Sequence, residues 1–243
     1  MTEPTIPLAL FDTVRASLRG QLSRLFWQIE ACPADGPTAR RLYKMLHTLN
    51  NARMAAGEIG ISRLFCLNDL LEGVGCAAAV LCAAQDLTLY TRLPRTPLYA
   101  VASPAALTIA ALNLTVNAFE HSGCDAAQLS LSRAGHTGVI TVRDKGRRPS
   151  SVAPPEGLGL AAVRAVCADC GGSLKITSGG GTAVSIALPL AACGGPPPDE
   201  LYQPPLGFEY LIDRYSSVFT ALTGMETRAV TQPDAQAQPR APQ

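Results

Sequence analysis

From Pro97 to Phe119 the chain runs for 23 residues without a charged side chain. A stretch of that kind must leave water, into either a bilayer or a protein core. It is long enough to span a membrane, but Pro104 interrupts it, and Ser103, Thr108, Asn113, Thr115 and Asn117 punctuate it. Placing so many polar groups in lipid costs several kcal/mol unless each finds a partner. The pattern therefore predicts a short strand, a turn at Ser103-Pro104 and a buried helix, and no membrane span. Around this stretch the 243 residues are 47% hydrophobic and 16% charged, enough for one large domain or two modest ones and too apolar for extended disorder over most of the length. A net charge of +1 argues against nucleic-acid or membrane-surface binding driven by charge alone.

Upstream, residues 8–31 repeat apolar side chains at Phe11, Val14, Leu18, Leu22, Leu25 and Ile29, a single stripe on a helix. Two prolines and a glycine at 32–37 break it, and a second stripe runs through Leu42, Met45, Leu49, Ala52 and Ala56. Residues 1–60 thus read as an antiparallel helical hairpin. A lone hairpin cannot bury both stripes, so a homodimer through residues 8–60, forming a four-helix bundle, is expected.

Beyond Gly60 the pattern becomes mixed. A helix is predicted over 68–85, strands over 86–92 and 97–103, the buried helix over 104–121, a hairpin of 127–133 with 137–143, a helix near 158–171, and a closing hairpin of 174–177 with 182–189. That order implies an α+β domain over 61–192, with helices on one face of a mixed sheet. Residues 193–224 read as a linker and a C-terminal helix over 207–224, and the Gln- and Pro-rich residues 225–243 as a disordered tail. Eight cysteines lie mostly in apolar runs, and the N-terminus has acids and prolines where a secretory signal needs a basic start, so a cytoplasmic protein with reduced thiols is expected. Cys167 and Cys170 form a CxxC without a second pair or a histidine cluster, which suits two packing cysteines on a helix better than a zinc or redox site.

Three clusters carry chemistry. Asn113 and Asn117 fall four residues apart on one helical face, and a carboxamide oxygen is a hard ligand suited to Mg²⁺. Asp144 at a strand end can accept from an exocyclic amine, while Gly146 lets a ligand approach the backbone. Gly157 and Gly159 open a helix, whose free N–H groups suit phosphates. Taken singly, each cluster also has a structural reading as a cap, a turn or a helix start; their order and spacing together make the difference.

Together the clusters resemble the ATP-binding domain of sensor histidine kinases and the wider gyrase/Hsp90/histidine kinase/MutL ATPase family. NLTVNAFEH (113–121) is similar to the N box NLxxNAxKH, and DKGRR (144–148) stands at the G1 box DxGxG. GLGLAAVRAVCADCGGSLKITS (157–178) resembles the G2 box with its helix and strand, and GGGTAVSIALPL (179–190) resembles the terminal GGTxFxIxLP strand. The resemblance covers roughly 61–190 and implies a two-layer α/β sandwich binding ATP and Mg²⁺. It implies Asn117 as the metal ligand with Asn113 assisting, Asp144 reading the adenine amino group, Gly146, Gly157 and Gly159 shaping the phosphate side, and Thr182 supporting the adenine pocket. Glu120 replaces the usual lysine of the N box, Arg148 replaces the second G1 glycine, and the lid between G1 and G2 is short.

In that family the helical hairpin carries a phosphoacceptor motif like HELRTPL. Residues 16–22, ASLRGQL, align with it and put Ala16 in the histidine slot, where a methyl group cannot accept a phosphoryl group. His47 is the other candidate acceptor, but it lies beside the Met45/Leu49 stripe, and a surface or interface histidine fits it better. The resemblance therefore implies a degenerate kinase, a pseudokinase that regulates partners through nucleotide-dependent shape. The alternative is an active kinase or phosphotransferase of a two-component or anti-sigma type, using His47 or a residue on a partner. A response regulator or another signalling protein is the implied partner.

Overall fold

The computed structural model describes residues 36–146, 157–191 and 201–225. The chain divides into two compact units, Met1–Leu42 and Tyr43–Gln243. Of the first unit only the opening turns of helix α1 (Pro37–Ala55) are described, with Ala39 and Leu42 buried. The helix expected over 8–31, including the Ala16 slot, lies outside the described residues, as do the 194–198 linker and residues 226–243; Met225, the first residue of the expected disordered tail, is instead buried in the core.

The second unit is built on a five-stranded sheet. Its elements are β1 (Arg63–Cys66), α2 (Leu67–Ala83), β2 (Thr88–Arg92), β3 (Tyr99–Ala102), α3 (Pro104–Ser122), β4 (Ala126–Ala134), β5 (Thr137–Asp144), α4 (Leu158–Asp169), β6 (Ser173–Ser178), β7 (Thr182–Pro189), α5 (Gly207–Ile212) and α6 (Ser217–Thr223). The strand order is β2-β4-β5-β7-β6, with only β2 and β4 parallel. Leu129, Leu131, Ile140, Val142, Ile186 and Leu188 alternate onto the face that joins α2, α3 and α4 in one core. On the other face Ser130 pairs with Thr141, and Thr141 with Ser185. This is the two-layer α/β arrangement expected for the domain, with helices against one face of a mixed sheet.

The uncharged stretch resolves into β3 and α3. Ser103 caps the helix, its Oγ accepting from the Ala106 N–H at 3.3 Å, Pro104 takes the first turn where its missing N–H costs nothing, and Gly123 ends the helix at φ 68°. Almost every residue from Pro104 to Phe119 is buried, which is why no charge appears there. Among the described residues no helix is long and apolar enough to cross a membrane.

Three elements depart from the sequence reading. Strand β1 was absent from it; RLFC is too short to show alternation, and it exists by pairing antiparallel with β3 in a separate two-stranded sheet. The expected single helix over 207–224 is two helices. Asp213 adopts an extended ψ of 96°, and the Ser216 Oγ starts a new helix by accepting from the Phe219 N–H at 3.1 Å. On α1 the buried face is also rotated: Met45 is 53% exposed, while Tyr43, His47, Asn51 and Met54 are buried. Polar residues can occupy that face because a partner on α3 satisfies one of them.

Candidate functional site

Asp144 is the last residue of β5 and turns toward the helix layer, where it is buried. Its Oδ1 accepts from the Gly146 N–H at 2.9 Å and from the Thr182 N–H at 3.2 Å. Two backbone donors on one oxygen fix the carboxylate and leave Oδ2 to accept from a ligand. The surrounding backbone is packed too closely for side chains. A Cβ on Gly146 would collide with the Ser122 carbonyl and side chain at the end of α3, and a Cβ on Gly181, at φ 124°, would collide with the Asp144 carbonyl. The ends of β5 and β7 and the last turn of α3 therefore meet at Asp144. A cavity of about 140 Å³ opens at this end of the sheet, lined by Arg143, Asp144 and residues 177–183.

The other end of the candidate site is at Asn113. This carboxamide is buried in α3, and its Nδ2 donates to the Asn51 Oδ1 at 2.7 Å. Gly159, in the first turn of α4, faces it closely: a Cβ there would stand 3.3 Å from the Asn113 Oδ1. Gly157 caps α4 in an extended conformation and has open space where a side chain would go. Asn117 is half-buried one turn beyond Asn113, about 6 Å further along the helix axis. The candidate residues are thus arrayed along α3. Gly159 lies at Asn113, Asn117 follows, and Gly146 with Asp144 and Thr182 gathers at Ser122, roughly 14 Å from the first. Arg147, Arg148 and Glu156 lie outside the described residues.

His47 does not sit where a surface histidine would. It is buried, its Nδ1 has no hydrogen-bond partner, and burial pulls its pKa down to about 4 despite an opposing contribution from the Asn113 side chain. An acceptor imidazole must reach an incoming phosphoryl group, and this one is enclosed. The CxxC residues are free thiols: burial pushes the Cys167 thiol up to about 11 and raises Cys170 as well, so neither is an activated thiolate. Among the described residues no group of three histidine, cysteine, aspartate or glutamate side chains is placed to hold a metal ion.

The sequence reading missed Asn51. The signal was present in its spacing, because His47 and Asn51 are four residues apart and share one helical face. Nothing in the sequence indicated that this face would be buried.

Residues 102–192 match the family described as histidine kinase-, DNA gyrase B-, and HSP90-like ATPases. Among solved structures, the Acinetobacter baumannii histidine kinase AdeS is 17% identical, with a TM-score of 0.50, 73% of this chain covered and 97% of that one. Full-length ShkA is 18% identical, with a TM-score of 0.52, 65% of this chain covered and 38% of that one. The ATP-binding domain of PrrB from Mycobacterium tuberculosis is 26% identical over 55% of this chain and 100% of that one, with a TM-score of 0.45. AdeS and ShkA share the fold with this chain. No curated protein matches the sequence significantly.

Proposed function

We propose that the chain is a histidine-kinase-like signalling protein that binds Mg-ATP along α3 and acts as a nucleotide-dependent regulator. The observation that carries this reading is the Asp144 carboxylate, held by the Gly146 and Thr182 N–H groups so that one oxygen remains for a ligand amine. ATP fits the residues present. Asp144 would accept from the adenine amino group, Thr182 and Gly146 would hold the shape of that end, and Asn117, assisted by Asn113, would supply carboxamide oxygen to the magnesium ion. The α4 N-terminus at Gly157 and Gly159 would face the phosphates with its free N–H groups. The bound ion supplies charge neutralisation; the chain's residues orient the nucleotide. Full-length ShkA was solved in complex with AMPPNP, which supports the choice of ligand.

With Ala16 in the phosphoacceptor slot and His47 enclosed, the regulator reading stands ahead of the active-kinase alternative. Residues 8–60 would pair two copies, and a response regulator or other signalling protein would read the nucleotide state. Free thiols among the described cysteines fit a cytoplasmic setting. Calorimetric titration with Mg-ATP tests the reading. Saturable binding is expected, weakened at least tenfold by Asn117→Ala; no binding by the unsubstituted chain overturns it. Incubation with labelled ATP decides the alternative, because acid-labile label lost in His47→Ala would make the protein an active phosphotransferase.

A further inference from the structure

We propose that Asn51, on α1, is a positioning residue of the nucleotide site, so that the seating of this part of α1 sets the site's affinity. The proposal rests on the nucleotide reading and deepens it.

A carboxamide has two unlike ends, and which one faces a ligand depends on what holds the other. The Asn51 Oδ1 can only accept, so the Asn113 atom opposite it is the amide nitrogen, donating at 2.7 Å. That bond fixes the Asn113 carboxamide with its oxygen beside the first turn of α4, where a Cβ on Gly159 would stand 3.3 Å from it. The oxygen is thereby presented on the side where phosphates and their metal would lie. Both side chains are buried, Asn51 at 6% and Asn113 at 2% exposure, so the bond is shielded from competing water. Removing the acceptor would leave a buried donor unpaired, and the carboxamide would be free to rotate.

A second observation marks the same place. One turn earlier on α1, His47 is buried against the Asn113 side chain with its Nδ1 unpartnered. The polar cluster of His47, Asn51 and Asn113 is thus one partner short of complete, beside the proposed phosphate side. If seating of α1 orients Asn113, ligand binding must in turn favour the seated helix, because such coupling is reciprocal. A partner that draws this segment away would then release nucleotide, and nucleotide would oppose that partner.

The test is calorimetric titration of the full chain with Mg-ATP, comparing Asn51→Ala with Met54→Ala, a buried residue of the same helix that has no bond to Asn113. Asn51→Ala is expected to weaken binding about five- to tenfold, the equivalent of one buried hydrogen bond. Met54→Ala is expected to lower the Tm with affinity unchanged. Equal affinity in Asn51→Ala, or loss of affinity in both variants in step with Tm, overturns the proposal. If the unsubstituted chain binds no Mg-ATP, the nucleotide reading fails and this proposal with it, an outcome distinct from the other two. Should Asn51→Ala not fold, hydrogen exchange at the Asn113 side-chain amide of the unsubstituted chain decides: protection supports the proposal, and rapid exchange overturns it.

Discussion

At neutral pH the His47 imidazole is uncharged, since burial holds its pKa near 4 while the unfolded chain protonates near 6.5. Between those values the unfolded state binds more protons, so stability falls as pH drops from 6.5 toward 4 and is insensitive to this group above that window. The full cost is about 3 kcal/mol. His47→Gln, which cannot titrate, is expected to flatten that limb of the stability curve, as measured by urea unfolding at several pH values; parallel curves for the two proteins would contradict the burial argument. At Asp144, replacing the carboxylate by asparagine keeps an oxygen for the Gly146 and Thr182 N–H groups only if the amide turns its nitrogen outward, toward the ligand. Asp144→Asn is therefore expected to weaken adenine nucleotide binding at least tenfold with little change in Tm, read by calorimetry and thermal unfolding. Asn113, Asn117 and Asp144 could be nominated from the sequence because residue type and order are local properties. Asn51 was not, because its role depends on which face of α1 is covered.

Among the elements, α3 was the most legible. Its uncharged run as far as Phe119, its Ser103-Pro104 start and its Gly123 end are all written locally, and packing reinforced them. The hairpins β4–β5 and β6–β7 were legible for the same reason, since alternation and turn residues are properties of neighbours in sequence. Strand β1 and the break between α5 and α6 depend on partners beyond the immediate neighbours: Leu64 accepts from the Tyr202 N–H at 2.9 Å, and the Ser216 hydroxyl donates to the Tyr210 carbonyl at 2.8 Å. The β6–β7 turn carries a testable constraint. Gly181 combines φ 124° with contact against the Asp144 carbonyl, so Gly181→Ala meets both backbone strain and a collision. It is expected to cost about 2 kcal/mol or more by urea unfolding and to displace Asp144, weakening nucleotide binding as well. A stable variant with unchanged affinity would show that the turn does not anchor the carboxylate.

Across the second unit, the segment 201–225 is part of the core. Val218, Ala221 and Leu222 are buried, the Gln85 side-chain amide donates to the Leu222 carbonyl at 2.9 Å, and Tyr43 stacks edge-on to Phe219 at 5.4 Å between centroids. Close approach depends on two glycines. A Cβ on Gly73 would collide with the Pro205 carbonyl, and one on Gly207 would stand 2.9 Å from the Cys76 Cβ. Gly73→Val is expected to force this segment off α2, seen as faster limited proteolysis within 201–225 and a lower Tm; unchanged proteolysis would mean that the segment can shift without letting go.

The sequence by itself determined the class of fold and nominated the residues of the candidate site, because helix periodicity, strand alternation and the asparagine, aspartate and glycine spacings are local and survive without knowledge of what packs against what. Tertiary structure alone decided which face of α1 is buried, that Asn51 holds Asn113, that His47 is enclosed, and that the C-terminal segment completes the core. Each of those rests on contacts between residues tens of positions apart, where burial and the satisfaction of polar groups are set by the partner across the interface and not by the neighbour along the chain.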